Sequence, residues 1–288
     1  MWRSIEEYHR PGSLEQALAL QSQATGARFV AGGTDLFVRI HGGTERPRVV
    51  VSLRGVPELS GIELSGAGAR IGATVTIAEL LEHEGIRERY PVLVQAAGCL
   101  GSPQIRNAAT VGGNLCNASP CADTAPPLLV LEARVRLLSA RGSRELALET
   151  FFRGPGQSAL APGEVLGAVL LEPPRRGSRG LFFKKRRVQM DLAQASVALL
   201  AELDGDRCLR LRVAAGSVAP TPARLREVEA LLEGKDLTDA LLVEAQALAR
   251  RTVAPITDLR ASEEYRREIT GVFVRRGLEQ LWRTGAER

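Results

Sequence analysis

Histidine is nearly missing from these 288 residues, and its scarcity removes several chemistries at once. The three present, His9, His41 and His83, stand in unrelated polar contexts, with no HExxH helix, no nucleophile elbow and no cysteine–histidine pairing. All three are expected at the surface. Cysteine is sparse too, at Cys99, Cys116, Cys121 and Cys208. The opening MWRSIEEYHRPGS is too polar for a secretory signal, so the sequence predicts a cytoplasmic chain with free thiols rather than disulfides. Cys116 and Cys121 have the C-x4-C spacing that begins a plant-type iron–sulfur site, but the third position due is Thr124, so no metal is expected on this chain. Aromatic residues make up only 4%, which leaves no platform for stacking bases, and no apolar run approaches the roughly eighteen residues of a membrane span. The net charge of +5, from 38 basic and 33 acidic side chains, suits an anionic ligand without implying nucleic acid.

What is present is enough apolar residue, 44%, to bury an ordinary core in two or three domains. Helix ends are legible. Ser13 lies three residues before Gln16, and Thr76 three before Glu79, both spaced for capping boxes, the second helix closed by Gly85. TPARLREVEALLEG predicts a helix with Thr221 as N-cap, Pro222 at the first helical position and Gly234 at its end. Strand-like runs cover 27–31, 48–53, 69–76, 134–140, 164–172 and 209–218, and SEEYRREITGVFVRRGLEQLWRT reads as a last helix. The class is α+β. Two prolines and two glycines among the arginines of EPPRRGSRG mark one seam, and GVPELSG a softer one, dividing the chain into 1–56, 57–176 and 177–288. The third piece is expected to hold a small antiparallel sheet and three helices. The run KKRR, Lys184 to Arg187, reads either as a solvated charged face or as a grip on a ligand phosphate.

Two adjacent glycine pairs stand out, Gly32 and Gly33 in RFVAGGTDLF and Gly112 and Gly113 in ATVGGNLCNASPCAD. Without a β-carbon such turns let backbone N–H groups converge on an anion. Neither pair has the G-x-G-x-x-G spacing of the dinucleotide fingerprint. The nearest imitation, GAGARIG at 66–72, lies between strand-like runs and predicts a hairpin turn.

The segments FVAGGTDL, IRNAATVGGNL, ASPCADTAPPLLVLEA and GSVAPTPARLREVEALL, in this order, resemble the FAD-binding medium subunit of the molybdenum hydroxylases, the group of xanthine dehydrogenase and carbon monoxide dehydrogenase. The resemblance runs nearly end to end. It implies a two-subdomain FAD-binding fold of the vanillyl-alcohol-oxidase/PCMH type followed by a C-terminal α+β domain. Phe29, Val30, Ala31, Gly32, Gly33, Thr34, Asp35 and Leu36 would then form a first jaw, and Thr110, Val111, Gly112, Gly113 and Asn114 a second, with N–H groups of both glycine pairs on the FAD diphosphate. Asp123 falls at the position that accepts from the adenosine ribose, and Leu166 at an apolar contact to the cofactor. Leu100, where relatives can carry an aromatic ring, and Ile105 belong to the same set. The flavin-side lysine corresponds to Lys184, with Lys185 as the alternative because FFKKRRVQMD is one residue shorter than usual.

By the same resemblance, electrons would arrive from the [2Fe-2S] clusters of a small iron–sulfur subunit, fed by a large molybdenum subunit, and leave from FAD to NAD+ or another acceptor. Some relatives carry a cysteine-rich insertion for a [4Fe–4S] cluster, which this sequence lacks. Two other readings remain at this stage: a stand-alone FAD-dependent reductase of the peptidoglycan-precursor type, and a flavin-free scaffold subunit. The substrate of the complex is not legible in this chain.

Overall fold

A computed structural model describes residues 5–286; the start of the first piece, at 1–4, and the end of the third, at 287–288, lie outside the described residues. The first lobe is built on three parallel strands in the order Glu7–His9, Val49–Ser52, Arg28–Val30. Parallel strands of this kind need cover on both faces. Successive side chains of a strand point to opposite faces, so Val51 packs with Ala17 and Leu18 of the helix Leu14–Gln23, while Val50 packs with Leu36 and Ile40 of the helix Leu36–His41. Ser13 caps the first of these helices, but the Gln16 side chain accepts from the N–H of Gly12 rather than closing a box on Ser13.

The second lobe carries a five-stranded antiparallel sheet in the order Ile62–Ser65, Gly68–Gly72, Val165–Leu171, Arg134–Ser139, Gly142–Ala147. Its first two strands form the hairpin expected from GAGARIG. The pairing of Val165–Leu171 with Arg134–Ser139 shifts register at Gly167, where a β-carbon would lie 2.5 Å from Leu138. Six short helices lie between 77 and 130, and all but Pro103–Ala108 contribute buried residues to the core of this lobe. Thr76 and Glu79 form the complete capping box, but Gly85 closes nothing. His83 ends the helix Ile77–Glu82 and at once caps the helix Glu84–Arg89, so Gly85 lies inside the second helix, where a β-carbon would meet Leu64 at 2.2 Å.

Beyond the Pro/Arg-rich connection, a four-stranded antiparallel sheet runs in the order Arg179–Lys185, Ala195–Asp204, Arg207–Gly216, Ala223–Arg224. The helices Arg226–Leu232, Asp239–Thr252 and Glu263–Ala286 pack on one face through Val197, Leu199, Val213 and Ala215. The alternate residues Ala198 and Ala214 turn the other way and join the core of the second lobe. One sheet thus serves two cores. The helix expected from Thr221 starts later: Ala223 and Arg224 extend the sheet by pairing with Ala215 and Ala214, and the helix begins at Arg226. Propensity is overridden by a buried ion pair. Glu229 accepts from Nε and Nη2 of Arg224 at 2.5 Å and from the Val213 N–H at 2.9 Å, with the Arg224 side chain only 3% exposed. Gly234, at φ +76°, does follow the helix as expected.

Truncating one partner of such a pair leaves the other charge buried without compensation, at a cost of about 3–5 kcal/mol. Glu229→Ala is therefore expected to lower the unfolding free energy obtained from urea titration by an amount towards that range, with Glu132 at 3.6 Å as the remaining partner of Arg224. A change below about 1 kcal/mol would show that water reaches Arg224.

Candidate cofactor site

The strand Arg28–Val30 ends at the edge of the first lobe, and its chain turns through 31–35 before entering the helix Leu36–His41. The turn faces the second lobe across a cleft of about 410 Å³. A crevice at the carboxyl ends of parallel strands is a common place for ligands. Of the residues singled out in the sequence, Phe29, Val30, Ala31, Gly32, Gly33, Thr34, Asp35, Leu36, Leu100, Ile105, Thr110, Gly113, Asn114 and Asp123 line this cleft. Val111, Gly112, Leu166 and Lys184 do not.

The two glycine pairs turn out to do different jobs. In the first, Gly33 has φ +76°, a conformation costly for other residues, and a β-carbon there would sit 2.5 Å from the Phe37 ring. Among the described residues no acceptor meets the N–H of Thr34 or Asp35, and the Asp35 side chain makes no cap, so these donors remain available to the cleft. Gly32 serves lobe contact: a β-carbon would lie 2.1 Å from the carbonyl oxygen of Ala108. In the second pair the N–H groups are already taken. Val111 donates to the Val75 carbonyl and Gly112 to that of Ala73, both at 2.9 Å; Gly113 donates to Thr110 Oγ1 and Asn114 to the Thr110 carbonyl, both at 3.0 Å. The expectation that both pairs aim N–H groups at a diphosphate is corrected accordingly. Gly112 is bare because its backbone docks on the end of the strand Gly68–Gly72, where a β-carbon would meet that of Ala73 at 2.6 Å. Val111 is buried in the same contact, and Leu166 lies in the core of the second sheet.

What the second lobe does present is side chains. Thr124 Oγ1 donates to Asn114 Oδ1 at 2.6 Å, which holds that amide at the cleft with its NH2 group free to donate. Asp123 Oδ2 pairs with Lys184 Nζ at 2.7 Å, the two side chains being 6% and 2% exposed. Lys184 also donates to the carbonyl of Cys99, which accepts in addition from Arg186. The other carboxylate oxygen, Oδ1, is buried and has no partner among the described residues. Burial pushes the Asp123 carboxyl up to about 6, against the opposing pull of Lys184 and Arg186. Lys185, one position along the strand, is exposed, so only Lys184 reaches Asp123, from behind the cleft lining. The KKRR run is not a uniform solvated face: Lys184 is buried, Arg186 grips Cys99 and Arg187 pairs with Asp191.

Sequence reasoning missed Arg39, Asn117, Ser119, Cys121 and the loop residues Met190 and Leu192, all of which line the cleft. Arg39 stands one helical turn beyond Asp35, and that spacing on a helix entered from a glycine turn was the only available signal.

Fold and cleft together define a two-lobed cofactor-binding module followed by an α+β domain. The FAD binding domain in molybdopterin dehydrogenase matches residues 3–173, and the CO dehydrogenase flavoprotein C-terminal domain residues 181–281. The chain is 33% identical over 276 residues to the xanthine dehydrogenase FAD-binding subunit of Escherichia coli O157:H7, covering 95% of this chain and 94% of that one. It is 32% identical over 275 residues to the carbon monoxide dehydrogenase medium chain of Afipia carboxidovorans, covering 95% and 96%. Among solved structures, a carbon monoxide dehydrogenase from Hydrogenophaga pseudoflava superposes with a TM-score of 0.94 at 30% identity, over 97% of this chain and 98% of that one. The chain belongs to the molybdenum hydroxylase family, as an FAD-binding subunit.

Because Gly112 packs against Ala73 rather than facing the cleft, Gly112→Val is expected to destabilise the second lobe, by about 1–3 kcal/mol for an overpacked contact. Flavin content should fall together with the thermal midpoint. Loss of flavin at an unchanged midpoint would place Gly112 at the cofactor instead.

Proposed function

We propose that this chain holds FAD in the cleft between its lobes and relays electrons from the [2Fe-2S] clusters of a small partner subunit to NAD+ or another acceptor, the substrate being oxidised on a large molybdenum subunit. The observation that carries the cofactor assignment is Asp123 Oδ1, a buried acceptor without a partner in the wall of the cleft. An orphaned acceptor of this kind is costly unless a ligand donor reaches it, and a ribose hydroxyl is such a donor. Bound FAD supplies the redox chemistry, since a flavin takes electrons singly and releases them as a pair.

The chain's own residues would divide the remaining work. The free N–H groups of Thr34 and Asp35 face the diphosphate, with Gly33 permitting the turn that exposes them. The Asn114 amide adds a donor from the second lobe, while Leu100 and Ile105 offer apolar wall. Lys184 keeps Asp123 Oδ2 occupied and thereby aims Oδ1. Of the earlier alternatives, the stand-alone reductase loses support because residues 181–281 match the flavoprotein C-terminal domain of CO dehydrogenase. The relatives named as medium chain and FAD-binding subunit support work within a multi-subunit assembly. Among the described residues no helix is long and apolar enough to cross a membrane. The division at 56/57 and 176/177 then separates the two jaws from the domain that supplies Lys184.

Heat release of the cofactor should yield FAD rather than FMN, and recovery of FMN alone would overturn the reading. The lone chain's flavin should stay oxidised with purines, aldehydes or carbon monoxide and be reduced only when iron–sulfur and molybdenum partners are co-expressed. Bleaching of the lone chain by any of these would mark it as self-contained.

The raised Asp123 pKa has two consequences of opposite sign. Its folded value of about 6 lies above the ordinary 3.8, so the folded apoprotein binds this proton more tightly than the unfolded chain. That contribution to stability is complete below about pH 4 and is lost as pH climbs through 6. A ribose hydroxyl, by contrast, needs the ionised acceptor, so FAD affinity should rise across the same interval. Fluorescence titrations at pH 5 to 8 check this: wild type should tighten with pH, and Asp123→Asn should bind more weakly with a flat profile. A pH-dependent Asp123→Asn would assign the titration to another group.

A further inference from the structure

Three carboxylates, Asp35, Asp123 and Asp191, stand in the walls of the cleft, and Arg39 is the sole cationic side chain among its described lining residues. Two of the acids already have cations from outside the lining, Asp123 with Lys184 and Asp191 with Arg187. Arg39 has none: among the described residues no carboxylate pairs with it. The one hydrogen bond of its side chain among the described residues crosses between the lobes, Nη1 donating to Asn117 Oδ1 at 2.6 Å. A guanidinium has five N–H donors, so four remain unused at the edge of the same cleft.

The position of this unspent charge is informative. Arg39 lies on the helix Leu36–His41, about one turn beyond the free N–H groups of Thr34 and Asp35. On the opposite wall the N–H groups of residues 111–114 are consumed within the second lobe. Residues 111–114 therefore leave no backbone N–H for a diphosphate, and the free N–H groups of Thr34 and Asp35 carry no net charge. Arg39 is exposed at the edge of the cleft, and an arginine recognises phosphate in bidentate fashion with a planar fork, a charge-assisted contact stronger than one between neutral groups. The link to Asn117 holds the fork at the gap between the lobes. It is not needed to keep them together, because Gly32 already touches Ala108 and Arg54 Nη2 donates to the Ala108 carbonyl at 3.5 Å.

Resting on the FAD reading above, we propose that Arg39 is the cationic clamp for the cofactor diphosphate, aimed across the cleft by Asn117. Nothing in the glycine motifs marks it. The clamp acts on the diphosphate alone, so ligands with and without that group respond differently to its removal.

The test uses the full-length apoprotein and flavin fluorescence at several salt concentrations, with FAD, riboflavin, and ADP as a competitor. Arg39→Gln is expected to raise the Kd for FAD and for ADP by about tenfold or more, the scale of a lost charge-assisted contact, and to flatten the salt dependence of both. Riboflavin binding should be unchanged. Arg39→Lys should restore part of the affinity, and Asn117→Ala should cost only a few-fold, since the charge stays. An unchanged Kd for FAD and ADP in Arg39→Gln overturns the clamp. So does equal loss for riboflavin and ADP, which would mean general damage to the cleft, or an Asn117→Ala loss as large as that of Arg39→Gln, which would reduce Arg39 to a latch between lobes. Failure of the wild-type apoprotein to bind FAD at all would instead overturn the cofactor assignment and with it the clamp.

Discussion

The ion pair between Lys184 and Asp123 joins the C-terminal sheet to the wall of the cleft, and the form of that wall depends on it. Burying two charges costs more in lost hydration than their attraction readily returns, unless further hydrogen bonds complete the arrangement. Here the completion is partial. The Cys99 carbonyl takes up Lys184 and Arg186, but Asp123 Oδ1 is left without a donor. A pair that is expensive and incomplete is better understood as a positioning device than as a source of stability. It places an acceptor in the cleft wall that no donor among the described residues satisfies.

Strand parity decides which side chains can take part. In the strand Arg179–Lys185, Leu181 and Phe183 face the C-terminal helices, while Phe182 and Lys184 face the second lobe. The Phe182 N–H donates to Gln95 Oε1 at 2.9 Å on the helix Pro91–Gly98, and Gly180 lets Val92 of that helix approach closely. The next strands continue the division, with Ala198 and Ala214 toward the lobe and Val197, Leu199 and Val213 toward the helices. Alanines on the lobe side allow a close approach of the helix Ala125–Val130, and that packing carries Asp123, just before it in the chain, to within reach of Lys184. The same alternation that builds an ordinary two-sided sheet thus delivers a lysine to the acid that lines the cleft.

Much of this was legible in the residues. Apolar runs located strands in the three main sheets, though they missed Arg179–Lys185 and Ala195–Asp204, and the Thr76–Glu79 spacing found a true capping box. The failures are local and physical. Gly85 resembles a helix stop because glycine there is ambiguous until the Leu64 side chain is seen occupying its side-chain space. Thr221 resembles an N-cap because TP followed by a helix former usually is one, and only the demand of a buried Arg224–Glu229 pair draws Ala223 and Arg224 into the sheet.

Order and spacing of motifs along the chain determined the family, the α+β class and the positions of the two glycine pairs, because each depends on residues near one another in sequence. The division of labour between those pairs was decided only in three dimensions. Both look alike in sequence, but one turn leaves N–H donors free while the other uses its donors on Val75, Ala73 and Thr110, and the difference lies in what packs against each backbone. Arg39 and Asn117, separated by 78 positions, meet only because Gly32 brings the lobes into contact. Lys184 and Lys185 likewise differ by one residue of strand register, which no composition records and which places one against Asp123 behind the cleft lining and the other in water.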